Sequence, residues 1–137
     1  MNETTLRATR VSALTPVAGV LGATAAAVAI WAVATIAGAD LTVSFAPGQP
    51  IQKVTVVNVI VAALVGSLAG WGLLGLLRRF TAKARSIWTV IAIVAGLLSL
   101  WGPLSVIAAP ATKVSLAAMH LIVATVVIMV LRRTTPA

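Results

Sequence analysis

Four long apolar stretches alternate with short polar ones along the 137 residues of this chain, and their lengths carry the first inference. The runs over 13–38, 52–77, 86–106 and 112–131 each hold about the 20 apolar residues that an α-helix needs to cross a bilayer core. They predict a single all-α domain over residues 1–137, a polytopic membrane protein folded as a four-transmembrane-helix bundle. The first run exceeds the apolar core of about 7–15 residues found in a secretory signal, so Ala37-Gly38-Ala39 reads as the end of a span and not as a cleavage site. Within that run Gly19, Ala23 and Ala27 recur every four residues, a spacing of small side chains that lets backbones approach closely in lipid. Helix 1 is therefore expected to be the inner, tightly packed member. Gly66-Ser67-Leu68-Ala69-Gly70 in the second run has the same small-x-x-x-small form, either a contact face or a coincidence of composition.

Between helices 1 and 2, Leu41, Val43 and Phe45 alternate with Thr42 and Ser44 before Pro47-Gly48-Gln49-Pro50 turns the chain. The pattern predicts a short extended segment or small hairpin. Pro50 is expected to open helix 2, because a proline at the first helical position lacks only an N–H that would be unpaired anyway. Pro110 is expected to do the same for helix 4. Gly102-Pro103 should kink or end helix 3, since proline removes a hydrogen bond there.

Composition excludes a soluble domain: 61% of residues are hydrophobic and 9% charged. The net charge of +8 would suit a nucleic-acid partner, but the cations cluster at the ends of apolar runs and form no basic face. They read instead as orientation signals and as contacts for anionic lipid headgroups. Arg7, Arg10, Arg78, Arg79, Lys83, Arg85, Arg132 and Arg133 fall on one side of the four spans, and only Lys53 and Lys113 on the other. That bias puts both termini and the Arg78–Arg85 loop in the cytoplasm of a multi-pass inner-membrane protein. Trp31 and Trp101 then lie toward the outer interface and Trp71 and Trp88 toward the inner one, as anchors. The chain has no cysteine, which removes disulfides, thiolate metal sites and cysteine nucleophiles.

Pro50-Ile51-Gln52-Lys53-Val54-Thr55 and Pro110-Ala111-Thr112-Lys113-Val114-Ser115 share a P-x-x-K-V-[ST] order. The two helical hairpins are thus either parallel repeats or a chance match in a biased composition. Lys53 and Lys113 either snorkel to outer headgroups or guard an outward mouth for an anionic lipid or solute.

Polar residues inside the spans are few. His120, the single histidine, stands about two turns below the outer end of helix 4, with Asn58 at a similar depth on helix 2. With Asp40, Lys53, Lys113 and Ser99 they form the candidate binding set of the outer half. Ala117, His120 and Ala124 share a face that should point into the bundle, where His120 and Asn58 either bridge helices as polar glue or serve a function. One histidine and one nearby acid are too few for a metal or for paired haem ligation, so no metal or cofactor is expected. No nucleophile motif surrounds Ser99 or Ser105, so no enzyme is expected either.

The run from Trp88 through Ser99 and Pro103-Leu104 to Ala111-Thr112-Lys113-Val114 and Leu116-Ala117-Ala118-Met119-His120-Leu121 resembles a family of small four-span bacterial membrane proteins of unknown function. The resemblance covers the second hairpin best, helix 2 loosely and helix 1 hardly at all. It implies four spans and makes Met119-His120 part of the family pattern, but it carries no activity. The function expected from the whole is a non-enzymatic structural or accessory membrane module that self-associates or joins a partner membrane protein. The alternatives are a small oligomeric transporter or channel with an outward polar vestibule, and a lipid-binding protein.

Overall fold

The computed structural model describes residues 2–134, and the side chains of all of these except 4–13. Its elements run α1 (Glu3–Ile36), β1 (Thr42–Val43), β2 (Gln52–Lys53), α2 (Val56–Phe80), α3 (Ala84–Ser99), α4 (Trp101–Ser105) and α5 (Pro110–Arg133). Four segments, Leu14–Ile36, Val56–Phe80, Ala84–Ser105 and Pro110–Arg133, are long and apolar enough to cross a membrane. The architecture is an all-α four-helix bundle with one small β-hairpin at the end opposite the termini.

Each helix boundary has a local cause. α1 closes where Gly38 turns into the left-handed region at φ +84°, while the N–H groups of Gly38 and Ala39 donate to the carbonyls of Thr35 and Ala34. This is the Schellman closure, and glycine bears the positive φ without a Cβ clash. α2 opens at Thr55, not at Pro50. Pro50 leads instead into strand β2, and the helix waits for a capping box in which the Thr55 N–H donates to Asn58 Oδ1 and the Asn58 N–H to Thr55 Oγ1, each at 3.3 Å. Asn58 supplies the back-bond that Glu or Gln usually gives, and the paired caps satisfy two orphan donors at once. α3 breaks at Leu100 because Pro103 has no N–H for the carbonyl of Ser99 and its ring crowds that same oxygen. α5 begins at Pro110, as expected of a proline in the first turn.

The two P-x-x-K-V-[ST] copies consequently do not occupy equivalent places. The first is a strand and a cap, with Lys53 on β2, whereas the second is the first turn of a helix, with Lys113 inside α5. The backbone is helical from Glu3, through Pro16, so the polar N-terminal segment continues the helix of the span.

α1 is the inner member: 33% of its membrane-length window is buried, against 11–22% in the other three. It packs on α5 and α2 through small side chains, with Ala23 and Ala27 almost fully buried. Gly19 stands so close to α5 that a Cβ added there would lie 2.6 Å from Val130 Cγ1. Without a hydrophobic driving force between helices in lipid, such close backbone approach is what binds them. Toward the termini, Ala23, Leu74, Trp88, Val127 and Leu131 form one buried cluster. Toward the hairpin, Ala27, Val59, Ala63 and Met119 form another.

The hairpin caps that second end. Thr42 pairs with Lys53 and Val43 with Gln52, antiparallel, and Ser44 exchanges two 2.9 Å backbone hydrogen bonds with Ile107 on the α4–α5 connection. Leu41 and Val43 turn inward and are buried. Two side chains from below fasten the cap to the bundle: Trp31 Nε1 donates to the carbonyl of Val54 and Thr112 Oγ1 to that of Asp40, both at 2.9 Å. At the opposite end Arg78 Nη2 donates to the carbonyl of Thr134, joining α2 to the end of α5.

Candidate functional site

α2 and α3 meet firmly only near their connecting turn. There Trp88 is buried and its Nε1 donates to the carbonyl of Gly70 at 2.8 Å. Trp88 is thus a core residue joining two helices, not the interfacial anchor expected from its position. Farther along, the facing side chains are too small to close the gap. Ala62, Ala63, Gly66 and Ala69 on α2 face Ala92, Ala95 and Gly96 on α3, and a groove of about 600 Å³ remains between α2, α3 and α5. Its floor is made by buried residues, Ala27 of α1 and Met119 and Val127 of α5. Along its rim Ala62, Gly66 and Ala69 on one side and Ile91 and Ala95 on the other are exposed, so the groove opens sideways, across the bundle surface.

One end of this groove is polar. Asn58 at the top of α2, Ser99 at the end of α3 and His120 on α5 all line it and all are exposed. Asn58 is held by its capping box. Ser99 Oγ donates to the carbonyl of Gly96 at 2.7 Å, and His120 Nδ1 lies 2.8 Å from the carbonyl of Leu116, one turn back on its own helix. The expected direct pairing of His120 with Asn58 is not formed: each is bonded within its own helix, and they share a cavity wall without sharing a hydrogen bond. The face carrying Ala117, His120 and Ala124 points His120 toward the open groove, not into packed interior.

The other candidates lie elsewhere. Asp40 takes part through its backbone carbonyl, which accepts from Thr112, and its carboxylate is not in the groove wall. Lys53 is exposed on β2, and Lys113 Nζ donates to the carbonyl of Leu104 at 3.2 Å, at the end of α4. No Lys, Arg, Asp or Glu lines the groove. Among the described residues, no three His, Cys, Asp or Glu side chains converge as metal ligands. What sequence reasoning missed is the wall itself: Ala62, Ala69, Trp88, Ile91, Ala95 and Gly96. The available signal was the run of small residues at helical spacing on both α2 and α3, since two such faces in one hairpin leave a gap wherever their backbones splay.

The arrangement offers a space in which a small molecule can be held. About 600 Å³ falls within the range of about 300–1,000 Å³ typical of small-molecule sites. The lining on α2 extends from Asn58 to Leu73, about 22 Å at 1.5 Å per residue, a length along which an extended hydrocarbon chain can lie.

No curated protein and no solved structure shows a match to the chain. A family model does match, over residues 7–137, and its description is Family of unknown function (DUF6069). With nearly the whole length covered, the chain belongs to that family of unknown function.

Proposed function

We propose that this small membrane protein binds a single-tailed amphiphile in the groove between α2, α3 and α5, taking it sideways from the bilayer, and does so without catalysis. The observation that carries the reading is the groove: apolar along its length, polar at one end, and open along the exposed rim of α2 and α3. The distribution of cations supports an orientation. Arg78, Arg79, Lys83, Arg85, Arg132 and Arg133 sit at the end holding the α2–α3 turn and the close of α5, and Lys53 and Lys113 sit at the hairpin end. Arg7 and Arg10 lie outside the residues whose side chains are described. By the positive-inside rule both termini face the cytoplasm of a bacterial inner membrane, which puts the polar end of the groove in the outer leaflet.

Filling the groove tests this. A Cβ at Gly66 meets nothing within 4 Å, so a side chain can start there on the groove wall, and Gly66→Phe is the filling variant. Mass spectrometry of protein extracted in mild detergent should find about one amphiphile per wild-type chain and much less on Gly66→Phe of equal thermal stability. Equal retention by the two would overturn the reading. Self-association has one specific support of its own, since Gly72 and Gly75 on α2 also meet nothing within 4 Å and leave a flat strip for a second helix. Cross-linking of chains carrying Gly72→Cys would detect it.

A further inference from the structure

The polar end of the groove fixes what kind of headgroup it takes, because the hydrogen bonds each side chain already makes decide what it has left to offer. The carbonyl of Leu116 can only accept, so the His120 Nδ1 facing it at 2.8 Å carries a proton. In the neutral ring this leaves Nε2 with a lone pair and no protein partner among the described residues. Ser99 has spent its one hydroxyl proton on the carbonyl of Gly96 and keeps only lone pairs. Asn58 is the reverse: its Oδ1 accepts from the Thr55 N–H, which fixes the amide orientation and leaves the NH₂ group as donor. The end wall therefore presents two acceptors and one donor, and holds no Lys, Arg, Asp or Glu.

We infer that the occupant, on the reading that the groove holds a single-tailed amphiphile, carries an uncharged hydroxyl head: its O–H donates to His120 Nε2 or Ser99 Oγ, and its oxygen accepts from the Asn58 amide. A phosphate or sulfate head meets two lone pairs with no Lys or Arg in the wall to offset its charge, and an anion set against lone pairs is unfavourable. A quaternary ammonium has no proton to give the acceptors and finds no anion. A hydroxyl satisfies both kinds of partner at once. From His120 to the foot of the groove at Ile128 is about 12 Å, and from Asn58 to Leu73 about 22 Å, which bounds the length of tail. The class is thus a long-chain alcohol of alkyl or isoprenoid type.

Trp88 lines the foot of the groove and supplies the reporter. In nanodiscs, a long-chain alcohol brominated at its tail end is titrated against the protein and Trp fluorescence is read. The sulfate and the trimethylammonium compound of the same tail serve as comparisons, and Trp88→Phe identifies the share of quenching due to Trp88. The alcohol is expected to bind at least about fivefold more tightly than either charged analogue. His120→Phe should weaken it about two- to tenfold, the loss of one hydrogen bond, while His120→Gln, which keeps an acceptor, restores most of the affinity. Both substitutions fall on an exposed side chain bonded only within its own helix, so neither threatens the fold. Quenching of Trp88 by all three compounds alike, or an alcohol affinity unmoved by His120→Phe, would overturn the headgroup assignment while leaving the groove as a binding site. Absence of Trp88 quenching with every compound would overturn the groove reading itself.

Discussion

Gly19 and Gly22 lie one turn apart on α1, and replacing each by alanine should shift stability in opposite directions. A Cβ at Gly19 would lie 2.6 Å from Val130 Cγ1 and 3.0 Å from its Cβ, while one at Gly22 meets nothing within 4 Å. Valine is stiff at χ1, so Val130 cannot swing aside and the helices must separate or its rotamer must strain. Overpacking of this kind costs about 1–3 kcal/mol, and alanine returns up to about 1 kcal/mol over glycine in a helix interior. Gly19→Ala should therefore destabilise by about 1–2 kcal/mol, and Gly22→Ala should be neutral or stabilise by up to about 1 kcal/mol. Reversible unfolding in bicelles measures both. Combining Gly19→Ala with Val130→Ala removes the 2.6 Å contact with Cγ1 and leaves the 3.0 Å one with Cβ, so the clash is relieved in part and the pair should be more stable than the sum of the single changes by about 1 kcal/mol. If Gly19→Ala and Gly22→Ala differ by less than about 0.5 kcal/mol, or the double variant is additive, the close α1–α5 approach is not what holds these helices together.

Ser67 Oγ is fully buried with no hydrogen-bond partner, the sole such atom among the described side chains. Ser67→Ala should accordingly be neutral or stabilising by up to about 1 kcal/mol in thermal unfolding, and a clear loss would mean that the hydroxyl has a partner after all. Thr112 is equally buried but bonded to Asp40, so Thr112→Val, of nearly the same shape, should cost about 1–2 kcal/mol and speed hydrogen exchange in the hairpin cap. Orientation is testable with single cysteines in a chain that has none. Gln49→Cys, at the exposed hairpin tip, should react with an impermeant thiol reagent in intact cells and Ala82→Cys, in the α2–α3 turn, only after permeabilisation, and the reverse pattern would invert the topology. Ser44 is unsuited to this purpose, being buried with its Oγ donating to the carbonyl of Ala46.

What could be read from the chain alone follows from the range over which each signal acts. Hydropathy sums over a whole span, and so four helices are legible without any tertiary information. The alternation at 41–45, Gly102-Pro103 and Pro110 act within a few residues, and the hairpin, the helix break and the start of α5 lie where those signals put them. Pro50 misled because two rules compete there. A proline suits either the first turn of a helix or the entry to a strand, and the Thr55–Asn58 cap five residues on decides between them. The polar stretch 3–10 was set outside helix 1 on hydropathy alone, yet helix formation there needs no apolar face. Asp40 was read through its carboxylate, whereas the structure employs its carbonyl, a group every residue has and no sequence pattern advertises. The groove was illegible for a further reason: it is the space left when two small-residue faces splay, a property of helix angles that no single residue encodes.

The sideways mouth of the groove changes which concentration the protein responds to. A site facing water is filled according to molar ligand in solution, and an amphiphile almost insoluble there would reach it slowly. On the proposed reading, an opening along the rim of α2 and α3 is bathed instead by the leaflet, where an occupant would arrive by lateral diffusion in two dimensions and its activity would be a mole fraction. Occupancy then reports leaflet make-up: halving the share of the bound species among neighbouring lipids lowers filling, whatever the cell's total content, and a modest preference over bulk lipid suffices for selection.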